Sequence, residues 1–304
     1  VSRTSHTCGT QALGWAALLL SCLLLVLPGC RGSRGRRIVV GSKNFTEQIV
    51  LAELLAQGIE AHTSLSAERR VNLGGTLICQ QALRAGEIDL YVEYTGTALT
   101  AVLGDTPSSD PAGVYARVKK AYAERFGFEV TEPLGFNNTF AMVIRGEDGR
   151  KWKLRTISDI APYAPRWRAG FGYEFMERPD GFRGWSQTYG LRFAESPRIM
   201  DLGLIYRALK ERQVDIVAGN STDGLIAALD LVVLEDDRHY FPPYEAVPVV
   251  RREVMERHPE LRGVLRALAG RLSEAEMRRL NYAVDGDRRD VAQVVREFRQ
   301  AKGL

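Results

Sequence analysis

The sequence predicts an α/β fold of two lobes, each lobe a sheet flanked by helices, and three observations carry that reading. One unit occurs twice: residues 82–97 (ALRAGEIDLYVEYTGT) and 208–223 (ALKERQVDIVAGNSTD) each run from the end of an amphipathic helix through a short turn into a buried apolar strand. Each strand then breaks into a polar loop rich in Gly, Ser and Thr. Helix and strand signals also alternate along the whole chain, with polar turns in 134–144 and 236–244 that read as two crossings between lobes. Finally, about 270 residues follow the N-terminal segment, enough for two domains of ordinary size. Ligands of open α/β sheets gather beyond the C-terminal ends of such strands, so two copies on two lobes bring two polar loops face to face across a cleft.

Taken in order, residues 1–29 read as a secretory signal: Arg3, an uncharged leucine-rich run from 12 to 29, then Leu27-Pro28-Gly29 before Cys30. That ending predicts a lipobox with Cys30 as the lipidated first residue, and 30–36 as a Gly- and Arg-rich tether. Loss of Arg3 with the signal takes the formal charge from +4 to +3. Such a mild balance, spread along the chain, is no nucleic-acid footprint. Of four Cys, Cys8 and Cys22 leave with the signal and Cys30 is acylated. Cys79 then stands alone, so no disulfide framework is possible; its apolar setting reads as a small buried residue on a helix.

Residues 37–40 form an apolar strand running into GSKNFTEQ (41–48), where Asn44 is expected to cap a helix with Glu47 as reciprocal partner. A helix start after a strand suits an anion, and Lys43 adds a full charge beside it. A strand at 70–73 is followed by a helix opened by Gly74-Gly75-Thr76, and then by the first repeat. Residues 113–126 form an amphipathic helix. In the second lobe a short helix at 157–160 is capped by Thr156 or Ser158, and a strand at 169–171 precedes a helix ending at the turn Pro179-Asp180-Gly181. Trp185 and Tyr189 share the next helix, and 198–212 reads as another. After a strand at 247–250 the chain is helical to its end and is expected to pack on lobe one. The lobes are thus predicted as 37–138 with 245–304 for lobe one, and 139–244 for lobe two.

No Ser-x-x-Lys, His-Glu-x-x-His, Cys-x-x-Cys or phosphate loop is present. The scattered His residues lack metal spacing, so neither an enzyme nor a metal or cofactor is expected. Asp89, Asp215, Asp223 and Glu93 are expected to brace loops and cap helices. The polar groups read better as a small-molecule cleft, in which strand ends and helix starts gather Lys43, Tyr94, Thr97, Asn138, Phe140, Arg178, Asn220 and Tyr244. Aromatic faces hold a quaternary ammonium at about 0.5–2 kcal/mol each, and Lys43 and Arg178 suit a carboxylate.

These pieces resemble the glycine betaine/carnitine/choline-binding lipoproteins of bacterial osmoprotectant ABC importers. The likeness runs from Arg37 to Leu304 and is carried by GSKNFTEQ (41–48), NLGGT (72–76), IDLYVEYTGTAL (88–99), FNNTFAM (136–142), ERPDG (177–181), STDG (221–224) and FPPYEAVP (241–248). It implies a type II periplasmic-binding-protein clamp that closes on its ligand. It also implies a lipid-anchored, extracytoplasmic monomer that serves an ABC permease and ATPase. By the same resemblance Lys43, Thr97 and Arg178 fall where the family grips the ligand carboxylate, and Tyr94 and Tyr244 fall in the aromatic cage. Two cage positions depart from the pattern. Phe140 stands where the family has Tyr and keeps the π-face. Asn220 also replaces a Tyr and has no π-face, which costs betaine affinity or marks a ligand with a hydrogen-bonding group at that point. Tyr91, Trp185 or Tyr189 are candidates to fill the gap. The competing readings are another amino-acid betaine, ergothioneine-like, or a ligand sensor without transport.

Overall fold

At the centre of each lobe lies the strand that ends one copy of the repeated unit. In a computed structural model that describes residues 1, 2 and 34–304, β3 (Leu90–Tyr94) is buried along its whole length, and β8 (Ile216–Asn220) is buried except at Asn220. Residues 3–29 of the predicted signal, Cys30 and most of the tether lie outside the described residues. Arg34–Arg36 form a 3-10 turn, and residues 38–304 form one compact unit.

The first sheet runs, edge to edge, β2 (Ser66–Arg70), β1 (Arg37–Gly41), β3, β10 (Ala246–Arg251) and β4 (Phe128–Val130). The second runs β7 (Arg198–Ile199), β6 (Ala169–Phe171), β8, β5 (Phe140–Arg145) and β9 (Leu231–Leu234). The two orders are equivalent. In each sheet the central strand pairs in parallel with an earlier strand of the same lobe, β1 or β6. On its other side it pairs antiparallel with a strand that has just crossed over, β10 or β5. The chain crosses between β4 and β5 and again between β9 and β10. The crossings touch each other: the Asn138 N–H donates to the Tyr244 carbonyl at 3.0 Å, and the Tyr244 N–H to Asn137 Oδ1 at 2.5 Å.

The repeat is structural as well as sequential. The Asp89 N–H donates to the Val39 carbonyl at 2.8 Å and its Oδ2 accepts from the Val39 N–H at 2.8 Å. Asp215 makes the same two bonds with Arg168, at 2.7 and 2.9 Å. Arginines back both acids, Arg251 near Asp89 and Arg145 at 2.8 Å from Asp215. These aspartates therefore join the start of each central strand to its parallel neighbour, the bracing role expected of them.

Lobe one buries the Thr46–His62 helix between its sheet and the C-terminal helices: Val50, Leu54 and Ile59 share a core with Leu265, Met277 and Val295. Lobe two is built around an aromatic cluster, with Phe171, Phe175 and Trp185 wholly inside. The tail also reaches lobe two, where Asn281 Nδ2 donates to the Thr222 carbonyl at 3.0 Å.

Three local expectations are corrected and a fourth holds. The Thr46–His62 helix is preceded by Phe45 with no side-chain cap, because Glu47 turns inward to other partners. The strand predicted at 70–73 instead spans Ser66–Arg70, since Asn72 takes a left-handed φ of 61° that breaks extension. Residues 198–212 are not one helix. Arg198–Ile199 pair with β6, Asp201 Oδ1 accepts from the Gly203 N–H to form a turn, and the helix starts only at Ile205. The short Ser158–Ile160 helix is a 3-10 turn, and of the two cap candidates Thr156 serves: its hydroxyl accepts the Asp159 N–H at 3.3 Å, and Asp159 Oδ2 accepts the Thr156 N–H at 2.8 Å.

Candidate functional site

A cavity of about 850 Å³ opens between the lobes, and all eight predicted ligand-contacting residues line it. The fold explains why. Lys43 follows β1, Tyr94 ends β3 and Thr97 lies in the helical turn beyond it. Asn220 ends β8, directly opposite Phe140, the first residue of β5. Arg178 follows the short Tyr173–Glu177 helix. Asn138 and Tyr244 sit on the two crossings. Every one comes from a strand end, a helix boundary or a crossing, where an α/β fold exposes backbone and variable side chains.

The polar groups form three connected centres. In the first, the buried Lys43 ammonium lies 2.5 Å from Glu93 Oε1 and donates to Thr76 Oγ1 at 2.9 Å. A lone acid in the buried strand LYVEY requires such a partner, since an unpaired buried charge is prohibitively costly. Lys43 also lies 5.1 Å from the Tyr94 ring centre.

The second centre is Glu47. Its Oε1 accepts from the Tyr94 hydroxyl at 2.6 Å and Asn138 Nδ2 at 2.8 Å, and its Oε2 from the Thr222 hydroxyl at 2.5 Å and Asn281 Nδ2 at 3.1 Å. These donors come from lobe one, a crossing, lobe two and the tail. Burial pushes the Glu47 carboxyl above the usual carboxylate range, and the four hydrogen bonds only partly oppose it.

The third centre is Arg178. It makes a bidentate bond to the buried Asp180 at 2.9 and 2.6 Å, and Asp180 Oδ2 also accepts from the Tyr244 hydroxyl at 2.6 Å. Burial works against the guanidinium charge, but Asp180 more than offsets it and Arg178 titrates above its usual range. The guanidinium lies 4.9 Å from the Phe140 ring centre and 5.7 Å from that of Tyr244. These two rings meet edge to face at 6.0 Å.

Of the residues proposed to replace the missing aromatic wall, none lines the cavity. Tyr91 is buried and donates to Glu93 Oε2 at 3.0 Å, Trp185 lies inside the lobe-two core, and the Tyr189 hydroxyl is engaged by Asp236. Phe45 and Tyr173 line it instead, Phe45 stacked on Tyr94 with ring centres 6.4 Å apart. Cys79 is buried in the Thr76–Ala85 helix, and burial pushes its thiol up to about 12. It is a packing residue. Sequence reasoning passed over Glu47, Thr76, Glu174 and Asp180. The acid in the first turn after Phe45 resembles an ordinary helix-start carboxylate, which hid Glu47.

A family description, the substrate-binding domain of ABC-type glycine betaine transport systems, matches residues 36–301. The chain belongs to this family. The carnitine transport binding protein OpuCC of Listeria monocytogenes is 37% identical over 95% of each chain. The glycine-betaine-binding protein of Pseudomonas aeruginosa is 36% identical over 93% of this chain and 92% of its own. A crystal structure of a glycine betaine/carnitine/choline ABC transporter component matches with TM-score 0.73 at 34% identity, covering 88% of this chain and 98% of that one. The substrate-binding domain is therefore a two-lobed type II periplasmic-binding-protein clamp, extracytoplasmic and serving an importer. Among the described residues no helix is long and apolar enough to cross a membrane.

Proposed function

We propose that this domain captures a small quaternary-ammonium osmoprotectant, a betaine, carnitine or choline, in the interlobe cavity and hands it to an ABC permease. The observation that carries the reading is the convergence of three aromatic side chains, Tyr94, Phe140 and Tyr244, with Lys43, Thr97, Asn138, Arg178 and Asn220 around one cavity. Aromatic faces attract a desolvated quaternary ammonium at about 0.5–2 kcal/mol each. Lys43 and Arg178 supply positive charge for a carboxylate, and the Asn138 and Asn220 amides supply hydrogen bonds. Lobe one is assigned to 37–138 with 245–304 and lobe two to 139–244. Closure bends the two crossings. Lipidation at Cys30 keeps the domain at the membrane beside its permease.

Asn220 favours a second reading of the same class. An amide at a cage position suits a ligand with a hydrogen-bonding group there, such as an imidazole-bearing betaine. Titration calorimetry of the purified protein against glycine betaine, proline betaine, carnitine, choline, ergothioneine and proline tests both. Micromolar binding to a simple betaine or choline supports the first reading, and binding to ergothioneine alone supports the second. Silence across the panel overturns both.

A further inference from the structure

Glu174 belongs to lobe two, yet its carboxylate is lodged against lobe one. The Thr76 backbone N–H, at the start of the Thr76–Ala85 helix, donates to Glu174 Oε1, and the Thr76 hydroxyl lies 3.3 Å from Oε2. Arg178 Nη1 is 3.9 Å from the same oxygen. Burial penalises the Glu174 charge, but the fields of Lys43 and Arg178 outweigh it and its carboxyl sits below the usual range. Gly75 makes the approach possible, because a Cβ there would run into the Glu174 carboxylate. The one place in the cleft that combines a helix start, a threonine hydroxyl and two nearby cations is thus filled by the protein's own anion.

The remaining charges point the same way. Lys43 and Arg178 are the only Lys or Arg among the cavity-lining residues, and each is already joined to a buried acid, Glu93 and Asp180. Three acids, Glu174, Glu177 and Asp201, line the same cavity. A ligand carboxylate entering this cleft must displace Glu174 or lie beside it with like charge. A cation without a carboxylate also meets Lys43 and Arg178, but Glu93 and Asp180 already pair with those two charges, and the three lining acids attract it. Unpaired like charges are an effective way to reject one ligand in favour of another.

We propose that Glu174 is the specificity-determining residue of the cleft, and that it selects quaternary ammonium compounds of net positive charge, with no free carboxylate, over zwitterionic betaines. This rests on the quaternary-ammonium reading above. Calorimetry with choline and glycine betaine on the purified protein tests it. Choline is expected to bind roughly tenfold more tightly than glycine betaine, the size of one modest charge–charge difference. Glu174→Gln keeps the side-chain shape at a site 34% exposed, and is expected to remove that preference or reverse it. Gly75→Ala displaces the carboxylate by sterics instead and should move the ratio the same way. Glycine betaine binding as tightly as choline to the unmodified protein, or a ratio that neither substitution moves, overturns the proposal and leaves the broader reading intact. Failure of both ligands to bind overturns this proposal, and the broader reading falls only if the whole panel above is silent.

Discussion

The Thr222 hydroxyl of lobe two donates to Glu47 Oε2 of lobe one at 2.5 Å, and Glu47 has no cationic partner among its hydrogen-bonding groups. A single buried carboxylate therefore gathers four neutral donors from separate parts of the chain. Glu47→Ala leaves the Tyr94 hydroxyl, the Thr222 hydroxyl and the Asn138 and Asn281 amides without their acceptor. At about 1–3 kcal/mol for each buried group left unmet, partly relieved by water, the expected loss is about 2–4 kcal/mol in urea denaturation. Glu47→Gln, which keeps one acceptor oxygen, is expected to lose less. Equal stability of both variants and the parent would contradict the hub.

Asp223 gives the protein a distinct pH dependence. Its Oδ2 accepts the Asn220 N–H at 3.0 Å and the Tyr206 hydroxyl, and burial raises its carboxyl to about 6. A carboxyl that titrates higher folded than unfolded favours folding most when protonated. This contribution is therefore full below the ordinary aspartate value of 3.8 and is lost as pH rises through about 6. Two pH units correspond to about 3 kcal/mol. Asp223→Asn should abolish this loss, so the difference in denaturation free energy between variant and parent should grow in the variant's favour from pH 4 to pH 7. A difference that stays constant over that range would refute the assignment.

Arg178 separates ligand binding from structure. Arg178→Lys keeps a charge beside Asp180 but cannot reproduce the bidentate bond. Glycine betaine affinity is expected to fall about tenfold while choline affinity changes little, as read by calorimetry. Equal losses for the two ligands would remove Arg178 from the carboxylate.

Asn220→Tyr restores the aromatic wall. The backbone of residue 220 is fixed by its pairing with Phe140, so the ring is expected to enter the cavity without reshaping β8. One added cation–π contact is worth about 0.5–2 kcal/mol, which predicts a gain of roughly threefold to thirtyfold for choline. A loss instead would mean that the Asn220 amide itself holds the ligand.

The elements that were legible in the sequence share a cause. The two repeats, β1, β5 and the crossings are spelled by apolar runs ending in polar turns, and their ends carry the cleft residues, so eight positions could be named before any geometry. What escaped was partnership. Glu93 and Lys43 lie 50 positions apart and Glu47 and Asn281 lie 234 apart, and no local pattern announces that such groups meet. The lost local features, the helix at 198–212 and the cap at Asn44, were propensities overridden by a short strand pairing with β6 and by a carboxylate recruited to the core.

Asn138 and Tyr244 line the cavity and are also hydrogen-bonded to each other's segment where the chain crosses between lobes. Under the proposed function, gripping a ligand and setting the angle between the lobes are a single mechanical coordinate. No relay is then needed to announce that the cleft is full: the proposed pivot is part of the proposed grip, and the proposed permease can read cargo directly from posture.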